Sequence, residues 1–193
     1  GLQRERFLPA INLIKAHTLA VELKSGIDYR LQKLSESRIY YSPNGERANR
    51  EIMEKFKDLI PDQAEFREAH IIEVYGRSIE VLQYAQNVGW FDFLALCDSP
   101  RSVFDYVEIS RILHTIIVSD IPQFSAKNED KARRFVYLID ELYDRRVNLI
   151  VSAEVGIPSL YKGRKLSFEF KRTRSRLTEM QSIDYLCSAH LVT

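Results

Sequence analysis

Two short runs, His114 to Ser119 (H-T-I-I-V-S) and Asn148 to Ala153 (N-L-I-V-S-A), are apolar without alternation, and what separates them has a different period. Strands that alternate apolar and polar residues cover one face of a sheet; strands apolar throughout are buried on both faces, as in parallel sheets. Between them, Glu129 to Val147 carries Ala132, Phe135, Val136, Leu138, Ile139, Leu142 and Tyr143 on one helical stripe. A buried strand, a crossover helix and a second buried strand make a parallel, right-handed unit of the kind found in doubly wound sheets. The chain is therefore expected to be mixed α/β.

The remaining pattern is arranged around that unit. Phe7, Leu8, Ile11, Leu13 and Ile14 predict a helix to about His17, and Val21 and Leu23 predict a strand closed by Ser25-Gly26. Arg38 to Tyr41 reads as a short strand, broken by Pro43-Asn44-Gly45. Ile52, Met53, Phe56, Leu59 and Ile60 then mark an amphipathic helix stopped at Pro61. From Ile71 to Phe93 the alternation predicts an antiparallel hairpin through Gly76-Arg77, then another extended stretch into Trp90-Phe91-Asp92-Phe93. After Pro100, Val103, Tyr106, Val107, Ile109 and Leu113 predict a helix opened by Ser102.

With 28 basic and 27 acidic residues among 193, the chain has a net charge of +1, and its overall field favours neither nucleic acid nor membrane. No apolar stretch has the length of a membrane span, so none is expected. Trp90, Phe91, Phe93, Tyr40 and Tyr41 have few basic neighbours and read as core packing, not as an RNA-stacking platform. Cys97 and Cys187 lie far apart and outside any C-x-x-C, which argues against a disulfide framework or zinc site. Local charge is less even: Lys162 to Arg176 holds seven basic residues against the single acid Glu169.

The seven glycines are Gly1, Gly26, Gly45, Gly76, Gly89, Gly156 and Gly163. A phosphate loop of the form G-x-x-x-x-G-K-[ST] needs a closer pair than any of these, so that backbone N–H groups can wrap the phosphates. The dinucleotide fingerprint G-x-G-x-x-G fails on the same count.

What the chain does contain is L-C-D-S-P-R-S-V-F-D-Y-V-E-I-S-R-I-L-H-T-I-I-V-S-D-I-P, then D-K-A-R-R-F-V-Y-L-I-D-E-L-Y-D-R-R-V-N-L-I-V-S-A-E, and later F-E-F-K-R-T-R-S-R-L-T-E-M-Q-S. Together with G-L-Q-R-E-R-F-L-P-A-I from Gly1 and S-G-I-D-Y-R from Ser25, these resemble the carboxy-terminal half of the ZapE and lactation-elevated (AFG1-like) ATPases, bacterial and mitochondrial. The resemblance implies the half of a ring-type P-loop ATPase downstream of its phosphate loop, metal site and sensor asparagine. In the full-length parent it implies ATP with Mg, a homo-oligomer, and remodelling of protein partners. Those are FtsZ in a bacterial cytoplasm, or inner-membrane proteins in mitochondria. It implies residues 1–36 as the end of the ATPase core, 37–97 as mixed helix and antiparallel strands, and 98–193 as an α/β carboxy-terminal unit, all a P-loop ATPase-like remnant. A chain without methionine at its start fits a piece of a longer protein. The alternative is a non-catalytic binding or scaffold domain derived from that family.

Arg4 and Arg6, in Q-R-E-R-F-L-P, fall where the resemblance puts an arginine finger; otherwise both merely solvate a helix start. Arg101 and Arg111, in the strongest motif, reach either a phosphate or a carboxylate within the fold, the commoner fate. Asp120, ending I-I-V-S-D, stands where open α/β sheets put ligands, but without a following glutamate it reads as a loop-capping carboxylate. Asp140-Glu141 rides a helix face, with Arg145 and Arg146 as expected partners. Cys97 and His114 read as core residues, not as a nucleophile and base. Arg172 and Arg176 share a face four residues apart, and with Phe168 and Phe170 beside them they read as a protein-docking face, against phosphate binding or plain solvation.

Overall fold

The computed structural model describes residues 38–60 and 67–192, together with four helical positions, Pro9, Ala10, Leu13 and His17, in the first segment. Those four agree with the helix read to about His17; the strand at Val21 and Leu23 lies outside the described residues.

The elements are β1 (Tyr40–Tyr41), α1 (Glu46–Leu59), β2 (Arg67–Val74), β3 (Arg77–Ala85), β4 (Val88–Asp92), α2 (Phe93–Cys97), α3 (Val103–Ile112), β5 (Thr115–Ile121), α4 (Glu129–Asp144), β6 (Asn148–Ala153), a 3-10 turn (Ile157–Ser159), α5 (Ser167–Glu179) and α6 (Ile183–Leu186). The six strands among the described residues join one sheet in the order β1-β6-β5-β4-β3-β2. β1, β6, β5 and β4 are mutually parallel, while β3 and β2 are added antiparallel as a hairpin.

The unbroken apolar runs become the two central strands, β5 and β6, and their alternate residues go to opposite faces. Ile116, Val118, Leu149 and Val151 join the large core beneath α2, α3, α4 and α5, while Ile117 and Ile150 join a smaller one beneath α1, with Ile52, Phe56 and Trp90. That double burial is why neither strand alternates in sequence. The stripe on α4 is the stripe expected but for its last member: Ala132, Phe135, Val136, Leu138, Ile139 and Leu142 are buried, and Tyr143 is half-buried at the core's margin.

The hairpin turns at Tyr75 and Gly76, and Gly76 takes a φ of +72° that suits glycine. One expectation fails. Phe93 does not continue the extended stretch but opens a helix, because the Asp92 carboxylate accepts a hydrogen bond from the Leu94 N–H at 2.7 Å. An Asp at that position caps a helix as readily as it ends a strand, and the strand periodicity before it hid the cap.

Candidate functional site

In an open α/β sheet, ligands are expected at the carboxyl ends of the parallel strands. Here three strand ends contribute polar groups: Asn44 after β1, Asp120 in β5, and Ser152 and Glu154 at the end of β6. Asn44, Asp120 and Ser152 bind one another, and Glu154 binds the loop after β5. Asn44 Nδ2 donates to Asp120 Oδ1 at 2.8 Å, and the Asp120 N–H donates to Ser152 Oγ at 3.1 Å. Glu154 Oε2 accepts from the Gln123 N–H at 2.8 Å, and the Tyr40 hydroxyl donates to the Val155 carbonyl at 2.8 Å. Asp120 has a left-handed φ of +62° where the β5–β6 register slips between Val118 and Ile121. It is thus a loop-holding carboxylate, as its sequence context indicated.

Beside this crown, a cleft of about 400 Å³ opens at the amino end of α1 between Arg38, Pro43, Asn44, Arg47 and Glu51. A phosphate cradle needs free N–H groups and an uncommitted cation. Arg38 already donates to the Tyr40 and Ser42 carbonyls, Arg47 pairs with Glu51 at 2.9 Å, and Glu46 and Glu51 add negative charge. These residues do not fit a nucleotide phosphate. Among the described residues, no group of three or more His, Cys, Asp or Glu side chains is placed to hold a metal ion.

The segment 97–106, the most family-like wording in the chain, is structural in its contacts. Arg101 Nη2 donates to the Ser78 carbonyl at 2.8 Å and its Nε to the Ala95 carbonyl at 3.3 Å, tying β3 to α2. Asp105 is fully buried; its Oδ2 accepts from the Ser102 N–H at 2.6 Å and from Ser102 Oγ at 3.1 Å. Its Oδ1 lies 2.7 Å from Arg77 Nη2, a close charge pair whose N–H is not aimed along a hydrogen bond. The Tyr106 hydroxyl donates to the Leu96 carbonyl at 2.9 Å. Among the described residues Arg111 pairs with Glu108, at 3.7 Å one turn back along α3. The Ser102-x-x-Asp105 spacing is a capping box legible in sequence, whereas nothing announced Arg77 as its partner.

Cys97 and His114 stand at opposite ends of the sheet. Cys97 closes α2, beyond the carboxyl end of β4; its thiol is buried against Tyr106, and that burial pushes its pKa up, away from a nucleophile. His114 precedes the amino end of β5, its Nδ1 at 2.8 Å from Thr115 Oγ1 and its ring edge-on to His190.

The basic helix α5 packs on α4 through ions. Asp140 receives both Arg172 and Arg176, and Arg176 also reaches Asp144 at 3.2 Å. So Asp140 turns to α5 and not to Arg145 or Arg146, because α4 presents it to the neighbouring helix; only Glu141 keeps its i, i+4 partner, Arg145, at 3.6 Å. Tyr143 donates to Glu179 at 2.7 Å, which holds its phenol above the ordinary pKa, and the Arg176 guanidinium lies 4.7 Å from the Tyr143 ring centre. Of the apolar residues on this stretch, Phe170 is buried and stacked on Tyr161, with ring centres 4.3 Å apart, while Phe168 is exposed. Tyr161 in turn donates to Glu129 at 2.9 Å and accepts from the Leu166 N–H at 2.8 Å; a Cβ on Gly163 would meet Glu129 at 2.6 Å and the Tyr161 hydroxyl still closer. That clasp was not foreseen.

The ion cluster gives a direct expectation. Arg172→Glu with Arg176→Glu sets new carboxylates against Asp140 and Asp144 and should lower stability by about 2 kcal/mol. That is less than the 3–5 expected where a buried pair is broken, because Asp144 is 57% exposed. Arg172→Ala alone should change the urea midpoint little, since Arg172 is half exposed and Arg176 still serves Asp140.

Arg4 and Arg6 lie outside the described residues. No helix among the described residues is long and apolar enough to cross a membrane.

Comparison with known proteins adds the lineage. The AFG1-like ATPase family matches residues 1–189. The cell division protein ZapE of Escherichia coli is 38% identical over 191 residues, 99% of this chain and 50% of that protein. Lactation elevated protein 1 homolog B of Danio rerio is 30% identical over 185 residues, 95% of this chain and 37% of that one. The chain thus spans about half the length of the ZapE proteins it matches. No solved structure matches it significantly. With the family match over nearly its whole length, and a parallel β5-α4-β6 unit in a mixed α/β fold, this chain belongs to the AFG1-like ATPase family.

Proposed function

We propose that the chain is the carboxy-terminal half of a ring-type P-loop ATPase that uses ATP and Mg to remodel protein partners in a bacterial cytoplasm, with FtsZ as the partner class. One observation carries this reading. The match to the E. coli division protein takes 99% of this chain but 50% of that protein, and the G-x-x-x-x-G-K-[ST] phosphate loop is absent from this chain's own sequence. The internally paired strand ends support a division of labour: the nucleotide belongs to the other half, and this half supplies the finger arginine and the surfaces around the ring.

The chain by itself is expected to bind no ATP. Calorimetric titration with ATP and Mg should give no saturable heat, and micromolar binding would defeat the proposal. A second reading, a scaffold domain without a motor, draws on the same internally satisfied crown. A G-x-x-x-x-G-K-[ST] segment encoded in frame ahead of Gly1 excludes the scaffold, and an uninterrupted stop there excludes the ATPase.

A further inference from the structure

Of the seven basic side chains between Lys162 and Arg176, the fold itself engages three. Arg172 and Arg176 pair with Asp140 and Asp144, and Arg174 donates to the Tyr161 carbonyl at 3.1 Å. Lys162, Arg164, Lys165 and Lys171 are exposed and have no carboxylate partner among the described residues. In their midst stands Phe168, 78% exposed, more than any other large apolar side chain described.

Helical register says what lies beside it. Phe168, Lys171 and Arg172 share one face of α5. Because Arg172 meets Asp140, Arg176 meets Asp144 and Glu179 meets Tyr143, α4 and α5 advance in the same direction. One turn back from the Arg172–Asp140 contact stands Phe168 on α5 and Tyr137, 39% exposed, on α4; a further turn back stand Lys165 and exposed Arg133. Two exposed aromatic side chains thus stand on neighbouring helices, with Lys165, Lys171 and Arg133 on the turns around them. Against these cations stand Asp130 and Glu169, and Glu169 lies near enough to act on the Tyr161 phenol.

We propose that this face docks an acidic peptide segment carrying an apolar side chain. Phe168 and Tyr137 would cover the apolar residue, and Lys165, Lys171 and Arg133 would attract the carboxylates around it. A membrane surface would need a broad apolar stripe, but the remaining apolar side of α5 (Phe170, Leu177) is already in the core. The proposal does not rest on the ATPase reading, since the chain presents this face without any nucleotide.

The test is fluorescence anisotropy of the full chain with a labelled synthetic peptide of Asp and Glu around one phenylalanine, at low and high salt. Saturable binding that salt weakens is expected. Phe168→Ala should weaken it about tenfold, as loss of an aromatic anchor does. Lys165→Glu with Lys171→Glu should slow association and flatten the salt dependence. A peptide with serine in place of its phenylalanine should bind more weakly and no longer distinguish Phe168→Ala from the parent. All three positions are exposed, and circular dichroism checks that the variants fold. Absence of saturable binding overturns the proposal, as does equal binding by Phe168→Ala. Tighter binding to phosphatidylglycerol vesicles or single-stranded RNA than to the peptide also overturns it and assigns the face to that ligand.

Discussion

Replacing Asp105 by alanine is expected to lower folding stability by about 3 kcal/mol, a large share of what a domain of this size has in reserve. The carboxylate has no access to solvent. Three groups depend on it: the Ser102 N–H, the Ser102 hydroxyl and the Arg77 guanidinium. Truncation leaves the N–H of Ser102, the cap residue before α3, without its acceptor, which by itself amounts to about 1 kcal/mol for a lost cap. It also releases Arg77, which is partly exposed and can turn to water, so the loss falls at the low end of the range for a broken buried pair. Asp105→Asn keeps an oxygen for the Ser102 N–H while removing the charge, and about half the loss should return. Urea unfolding of the three proteins separates the terms; equal midpoints for parent and alanine variant would mean that the staple between hairpin and α3 contributes nothing.

On the proposed reading, in which Arg4 or Arg6 is the finger of a whole ATPase, alanine in its place is expected to lower ATP turnover about 10³-fold while leaving nucleotide affinity nearly intact. A guanidinium offered by a neighbouring subunit meets charge that develops on the phosphoryl group in the transition state, so its removal raises the barrier and hardly touches the ground state. The outcome should be unequal: one arginine matters greatly, the other little. Mixing the impaired variant with a subunit defective in its own phosphate loop should restore part of the rate if the group acts across an interface. Unchanged turnover in both variants would leave the two arginines as solvated charges.

The central unit was legible because its signal is redundant. β6 spans Asn148–Ala153 as the apolar run predicted, and α4 follows its stripe from Glu129. What sequence could not convey is partner choice over distance. Asp140 has Arg145 and Arg146 just past the end of its own helix, yet it takes Arg172 and Arg176 from α5, because packing of Phe170 and Leu177 sets the two helices side by side. Likewise Phe168 and Phe170 look equivalent on paper, but two residues along a helix are on nearly opposite sides, so one faces water and the other Tyr161. Asn44 beneath Asp120 was invisible for another reason: the contact spans 76 residues and depends on strand order.

Strand β1 has a temporal consequence. The Tyr40 hydroxyl contact to the Val155 carbonyl joins residues 115 apart, and among the described residues the sheet partner of β1 is β6. During synthesis from the amino end, α1 and β1 leave the ribosome on the order of ten seconds before the strand that anchors them. Through that interval the apolar side of α1, with Ile52 and Phe56, waits without its sheet, and Trp90 and Ile117 emerge onto a face still missing Ile150. The last strand of the sheet to be made is the one that closes it on both sides, so a chaperone that shields exposed apolar helices has its longest opportunity here, before β6 arrives.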